Sequence, residues 1–121
     1  MANWIIRCSE DYFSKFVERL KTEMLKEKIL HCDETYVKVL KERNVSSESK
    51  QYMWVYRTGK HSDRQIVIYD YNKSRSGDVP KKYLGDYNGF VHTDGYAGYN
   101  KLTKVTHCNC CLLYTSDAAD E

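Results

Sequence analysis

The 121-residue chain has no apolar run near the ~18 residues that a membrane-spanning helix requires. Its start, Met1-Ala2-Asn3-Trp4-Ile5-Ile6-Arg7, has no basic region followed by a long apolar stretch, so a signal peptide is not expected. The default compartment is then the cytoplasm, where thiols stay reduced. Five cysteines are an odd number, which argues against a disulfide framework. There is no Gly-rich phosphate-binding loop, no Ser-centred nucleophile elbow, no internal repeat and no low-complexity tract. These absences argue against membrane, mononucleotide-binding and serine-hydrolase readings, and a secreted protein is not expected.

What is present describes one domain with a modest core. Hydrophobic residues make up 41% and charged residues 30% of the chain. A net charge of +2 permits nucleic-acid binding without demanding it. The 11 tyrosines suit β-strands better than a base-stacking surface.

Apolar spacing predicts helix over 3–28. Ile5, Cys8, Tyr12, Phe13, Phe16, Val17, Leu20, Met24 and Leu25 recur at steps of three and four. Ser9 and Glu10 leave one long helix or two short ones open. Strand follows over 29–40, with His31, Asp33, Thr35 and Val37 on one face and Leu30, Cys32, Glu34 and Tyr36 on the other. A polar connection over 41–50 leads to strands over 51–58 and 65–70, expected to form an antiparallel meander. The loop Ser74–Pro80 opens a short helix capped by Asp78 or Ser76, with Pro80 in its first turn. A fourth strand is expected over 89–93 and a possible fifth over 104–107. Three antiparallel strands followed by a crossover helix into a further strand make an α/β fold of ribonuclease H-like order, in which ligands gather at strand ends.

Asp33 and Asp94 each lie in or at the end of an apolar, strand-like run. A carboxylate there is costly to bury unless it is paired or binds a cation. If the two runs are neighbours, both aspartates can hold a divalent metal such as magnesium, which takes hard oxygen ligands. Spacing alone also allows Asp33 to be a salt-bridged strand residue and Asp94 a turn former before Gly95. A zinc reading joins His31, His92 and His107 with Asp33 or Cys108; Cys108, Cys110 and Cys111 beside His107 resemble half a zinc site, but no second pair at a suitable distance completes it.

Four segments occur in order: Leu30-His31-Cys32-Asp33-Glu34-Thr35, Tyr52-Met53-Trp54-Val55-Tyr56, Ser74-Arg75-Ser76-Gly77 and Thr93-Asp94-Gly95-Tyr96-Ala97-Gly98-Tyr99. Together they resemble the catalytic region of the insertion-sequence sixty-six family of bacterial transposases, over about residues 1–110. Cys32 stands where that family usually has a small residue, commonly alanine. The resemblance implies a ribonuclease H-like fold with a helical lead-in over 1–28 and a partial catalytic domain over 29–110. It also implies an Asp-Asp-Glu site in which Asp33 and Asp94 are the first two catalytic, metal-binding residues, with two Mg2+ or Mn2+ ions in the complete protein. The implied reaction cuts DNA at the element's ends and joins it to target DNA, in a bacterial cytoplasmic protein that works as a homo-oligomer. Arg75, Lys81 and Lys82 are the candidates for phosphate contacts.

The resemblance stops near Cys110. Residues 111–121 resemble a translated sequencing adapter and are expected to be a non-native tail. On that expectation Asp117, Asp120 and Glu121 are not the third carboxylate, the catalytic glutamate is absent from the chain, and strand transfer by it alone is weak or nil.

Overall fold

The computed structural model describes residues 2–38 and 51–109. The chain opens with α1 (Ala2–Cys8), a π-helical turn (Ser9–Phe13) and α2 (Ser14–Met24). Ser9 and Glu10 thus mark a change of pitch, not a break. Helical residues advance by about 100° each, so the four-residue steps Cys8–Tyr12–Phe16–Leu20 would drift around an unbroken α-helix. A wider π turn takes up the excess and keeps those positions on one stripe.

The helix ends at Met24, four residues earlier than expected. Residues 25–28 form a turn whose carbonyls serve the sheet. The Phe90 N–H donates to the Lys28 carbonyl at 2.8 Å, and the Tyr87 hydroxyl to that of Glu27 at 2.9 Å.

Five strands follow: β1 (Ile29–Val37), β2 (Gln51–Thr58), β3 (Val67–Asn72), β4 (Phe90–Thr93) and β5 (Thr106–Asn109). Their order across the sheet is β3-β2-β1-β4-β5. The first three make the expected antiparallel meander, and β4 and β5 run parallel to β1. Between β3 and β4 lies α3 (Asp78–Leu84), and a 3-10 turn (Ala97–Lys101) separates β4 from β5.

β3 begins two residues later than its composition suggests, because Gln65 and Ile66 belong to the turn. The Gln65 amide donates to the carbonyls of Gly59, Lys60 and Ser62, and the Ile66 N–H to the Thr58 hydroxyl. β5 is likewise displaced, since the chain is still turning at Leu102, whose N–H donates to the Tyr99 carbonyl.

Neither Asp78 nor Ser76 occupies the cap position of α3; Gly77 does. The Ser76 hydroxyl accepts the Asp78 N–H at 3.3 Å instead. Glycine is required there by proximity, as a β-carbon on Gly77 would lie 1.9 Å from the Gly98 carbonyl oxygen.

One face of the sheet carries the core. Leu30, Cys32, Trp54, Tyr56, Ile68 and Val91 pack beneath Met24, Leu84, Tyr87, Tyr99 and Leu102. The Trp54 indole donates to the Ser74 carbonyl at 3.1 Å, and the Tyr56 ring stacks on Tyr83. The opposite face exposes Ile29, Asp33, Arg57, Val67, Tyr69 and Phe90 among the described residues.

Candidate metal centre

The parallel register explains how the two aspartates meet. His31 of β1 is the Cα partner of His92 of β4. Two residues farther along each chain stand Asp33 and Asp94, so parallel strands in that register bring both to the same end of the sheet. Asp33, Glu34 and Asp94 each offer a carboxylate oxygen, and the three oxygens lie within 4.8 Å of one another. Among the described residues this is the one such group of three histidine, cysteine or acidic side chains.

Local backbone chemistry aims these carboxylates. One Asp94 oxygen accepts the Tyr96 N–H at 3.0 Å, a side-chain turn that Gly95 completes with a φ of +89°. The turn-forming reading of Asp94 is therefore true, and it engages one of the two oxygens. Asp33 likewise accepts the Glu34 N–H at 2.9 Å through Oδ1. Both aspartates are exposed at the mouth of a groove of about 360 Å3, which His31, Arg57, His92 and Thr93 also line.

Glu34 differs. Its side chain is 2% exposed, because β1 turns it to the core face. It accepts the Tyr99 hydroxyl at 2.6 Å and an Arg75 N–H at 2.9 Å. The Arg75 guanidinium also lies 4.1 Å over the Tyr96 ring, while the Tyr96 hydroxyl donates to the Arg75 carbonyl. Tyr96 and Tyr99 follow Asp94 closely in the chain. Glu34 thus ties the strand that carries Asp33 to the loop that carries Asp94. Sequence reasoning missed this residue; its signal was an acidic side chain on the apolar face of β1, beside Leu30 and Cys32.

The surroundings shift several groups. The Tyr99 hydroxyl is pushed well above its usual range, by burial first and by its bond to Glu34 second. Burial, then the neighbouring Asp33 and Glu34 carboxylates, push the Cys32 thiol up to about 12, so it stays protonated and unreactive at neutral pH. Burial, then Arg57 and His92, lower the pKa of His31.

The remaining candidates lie elsewhere. Arg75 is paired with Glu34, and Lys81 and Lys82 stand exposed on α3, outside the aspartate groove. His31 and His92 bring their ring centroids to 4.7 Å, whereas His107 Nε2 bonds the Leu102 carbonyl. Cys110, Cys111, Asp117, Asp120 and Glu121 fall outside the described residues. No helix among the described residues is long and apolar enough to cross a membrane.

Comparison with curated proteins and with solved structures gives no match. The model of one protein family, described as Transposase IS66 family, matches residues 1–112. Nearly the whole chain is covered, including both aspartates and the loop between β4 and β5, and the protein therefore belongs to the IS66 family of transposases.

Proposed function

We propose that Asp33 and Asp94 are the metal-binding carboxylates of a DNA-cleaving and strand-joining site on a ribonuclease H-like sheet. The observation that carries this reading is the convergence of two sequence-distant aspartates, at the ends of adjacent parallel strands, to within 4.8 Å. Support for the fold comes from the strand order β3-β2-β1-β4-β5, with an antiparallel meander followed by parallel strands.

The donor set fits a hard divalent ion. Ligands about 2.1 Å from a magnesium ion stand roughly 3–4 Å apart, so small rotations of exposed aspartates suffice. Magnesium or manganese bound here would activate the attacking oxygen and stabilise the departing one. The chain's own part is to orient two short carboxylates from rigid strand ends. Glu34, already engaged by Arg75 and Tyr99, holds the Asp94 loop against β1 and does not itself need to touch the ion. His31, Arg57 and His92 add hydrogen-bond donors beside the aspartates, on the side where a DNA phosphate would lie.

Calorimetric titration of the full chain with Mn2+ tests the reading, with duplex DNA binding measured with and without Mg2+. Asp33→Asn and Asp94→Asn should each weaken Mn2+ binding at least tenfold and abolish any magnesium effect on DNA affinity. Unchanged Mn2+ affinity in both variants would refute the assignment, and DNA binding indifferent to magnesium would favour a non-catalytic binding module.

A further inference from the structure

Another concavity opens at the same end of the sheet as the aspartates. Glu34, Tyr36, Tyr52 and Arg75 line it, and its volume is about 500 Å3. Glu34 joins the two sites. It lines this cavity, and one of its carboxylate oxygens stands within 4.8 Å of oxygens of Asp33 and Asp94.

The strands set the tyrosines in place. Alternation puts Tyr36 on the Glu34 face of β1, and the antiparallel register sets Tyr52 of β2 opposite Tyr36. The two rings meet edge to face, with centroids 6.4 Å apart and planes at 72°. Tyr36 is still 51% exposed, so much of its surface stays open.

Arg75 supplies a third flat group. Its guanidinium lies 4.1 Å over the Tyr96 ring and donates to Glu34, while the side chain remains 48% exposed. A planar guanidinium stacked on one face can carry a second ring on the other. The Glu34 carboxylate offsets its charge, so the lining residues hold no excess positive charge for a phosphate. Two tyrosine rings and a flat, charge-compensated cation suit an uncharged planar heterocycle instead.

We propose that this cavity receives one unpaired DNA base, stacked against Tyr36 and Arg75, from the strand held at the aspartates. The proposal rests on the DNA reading of the aspartate site, with which Glu34 makes the cavity continuous. A base enters only after leaving its partner in the duplex, so the cavity favours strands that are open beside the cut. Every base has a π face, so the preference is for unpaired over paired nucleotides and not for one sequence. Tyr36 and Tyr52 then serve as a stacking surface as well as strand residues.

Fluorescence anisotropy of the full chain, in EDTA, tests the proposal with two labelled single strands of equal length and charge. One is a short thymidine oligonucleotide and the other is its abasic counterpart. The thymidine strand should bind at least fivefold tighter, since stacking is worth about 1–3 kcal/mol per base. Tyr36→Ala should remove that difference, Tyr36→Phe should keep it within about twofold, and Tyr69→Ala, on the open sheet face, should leave it unchanged. In the wild-type chain, a strand carrying 5-iodouracil should photocross-link to Tyr36 or Tyr52, located by peptide mass spectrometry; this arm needs no variant to fold. Equal binding of the two strands would overturn the base pocket and leave the aspartate reading intact. A difference that survives Tyr36→Ala, one lost in Tyr69→Ala, or a cross-link to neither Tyr36 nor Tyr52 would overturn it too. The base preference is measured without a divalent ion, so it stands or falls apart from the Mn2+ titration.

Discussion

Asp33 and Glu34 are neighbours on one strand with similar chemistry and opposite circumstances. Asp33 stands exposed at the mouth of the groove, accepting one backbone N–H. Glu34 is turned to the other face, its carboxylate buried between Tyr99 and Arg75. Strand alternation alone separates them. The comparison teaches that a pair of adjacent acids can divide the work: one is left exposed beside Asp94, the other is spent on holding the loop that carries Asp94 against β1.

The comparison can be broken most severely at Glu34. Glu34→Leu removes a buried acceptor from both Tyr99 and Arg75, and should cost about 3 kcal/mol in urea unfolding. The same replacement at exposed Asp33 should cost far less, and equal losses at the two sites would contradict the division. Gly77→Ala drives a β-carbon into the Gly98 carbonyl. That strain should cost about 2 kcal/mol and, by shifting the loop after Asp94, weaken Mn2+ binding as well.

Alkaline titration sharpens the role of Tyr99. Its hydroxyl ionises at 10.0 in an ordinary setting, and burial and Glu34 raise that value in the folded chain. The unfolded chain therefore loses this proton first as pH rises, so the stabilisation is complete below pH 10 and declines above it. Urea midpoints measured at rising pH should fall, and Tyr99→Phe should reduce that slope while costing about 1 kcal/mol at neutral pH. The smallest effect is expected for Asp33→Asn, within about 0.5 kcal/mol in stability, although it removes the proposed cation site. A large stability loss there would mean that Asp33 is structural.

Much of this was readable from residue order. Alternation in Leu30-His31-Cys32-Asp33-Glu34-Thr35 assigned the two faces of β1 correctly, because a half-buried strand must segregate apolar side chains. The meander and the short helix at Pro80 were equally legible. Boundaries were less so. The late starts of β3 and β5 reflect turn hydrogen bonds at Gln65, Ile66 and Leu102, which apolar composition does not register. The helix was read as amphipathic throughout, yet among the described residues it meets the core through Leu20, Met24 and Leu25. Periodicity reports that a face wants cover, not what covers it.

For the site, the primary sequence by itself singled out two aspartates in apolar surroundings and, through four ordered motifs, the family. It left open whether those aspartates ever meet, since spacing along a chain does not specify strand register. Tertiary structure decided that. The parallel pairing of β1 with β4 places Asp33 beside Asp94. It also gave Glu34 its role, because a bond from Tyr99 and a charge from Arg75 reach it only once α3, the 3-10 turn and β1 are packed together. Local pattern can determine which side of a strand a residue faces; what stands opposite depends on contacts between segments far apart in the chain.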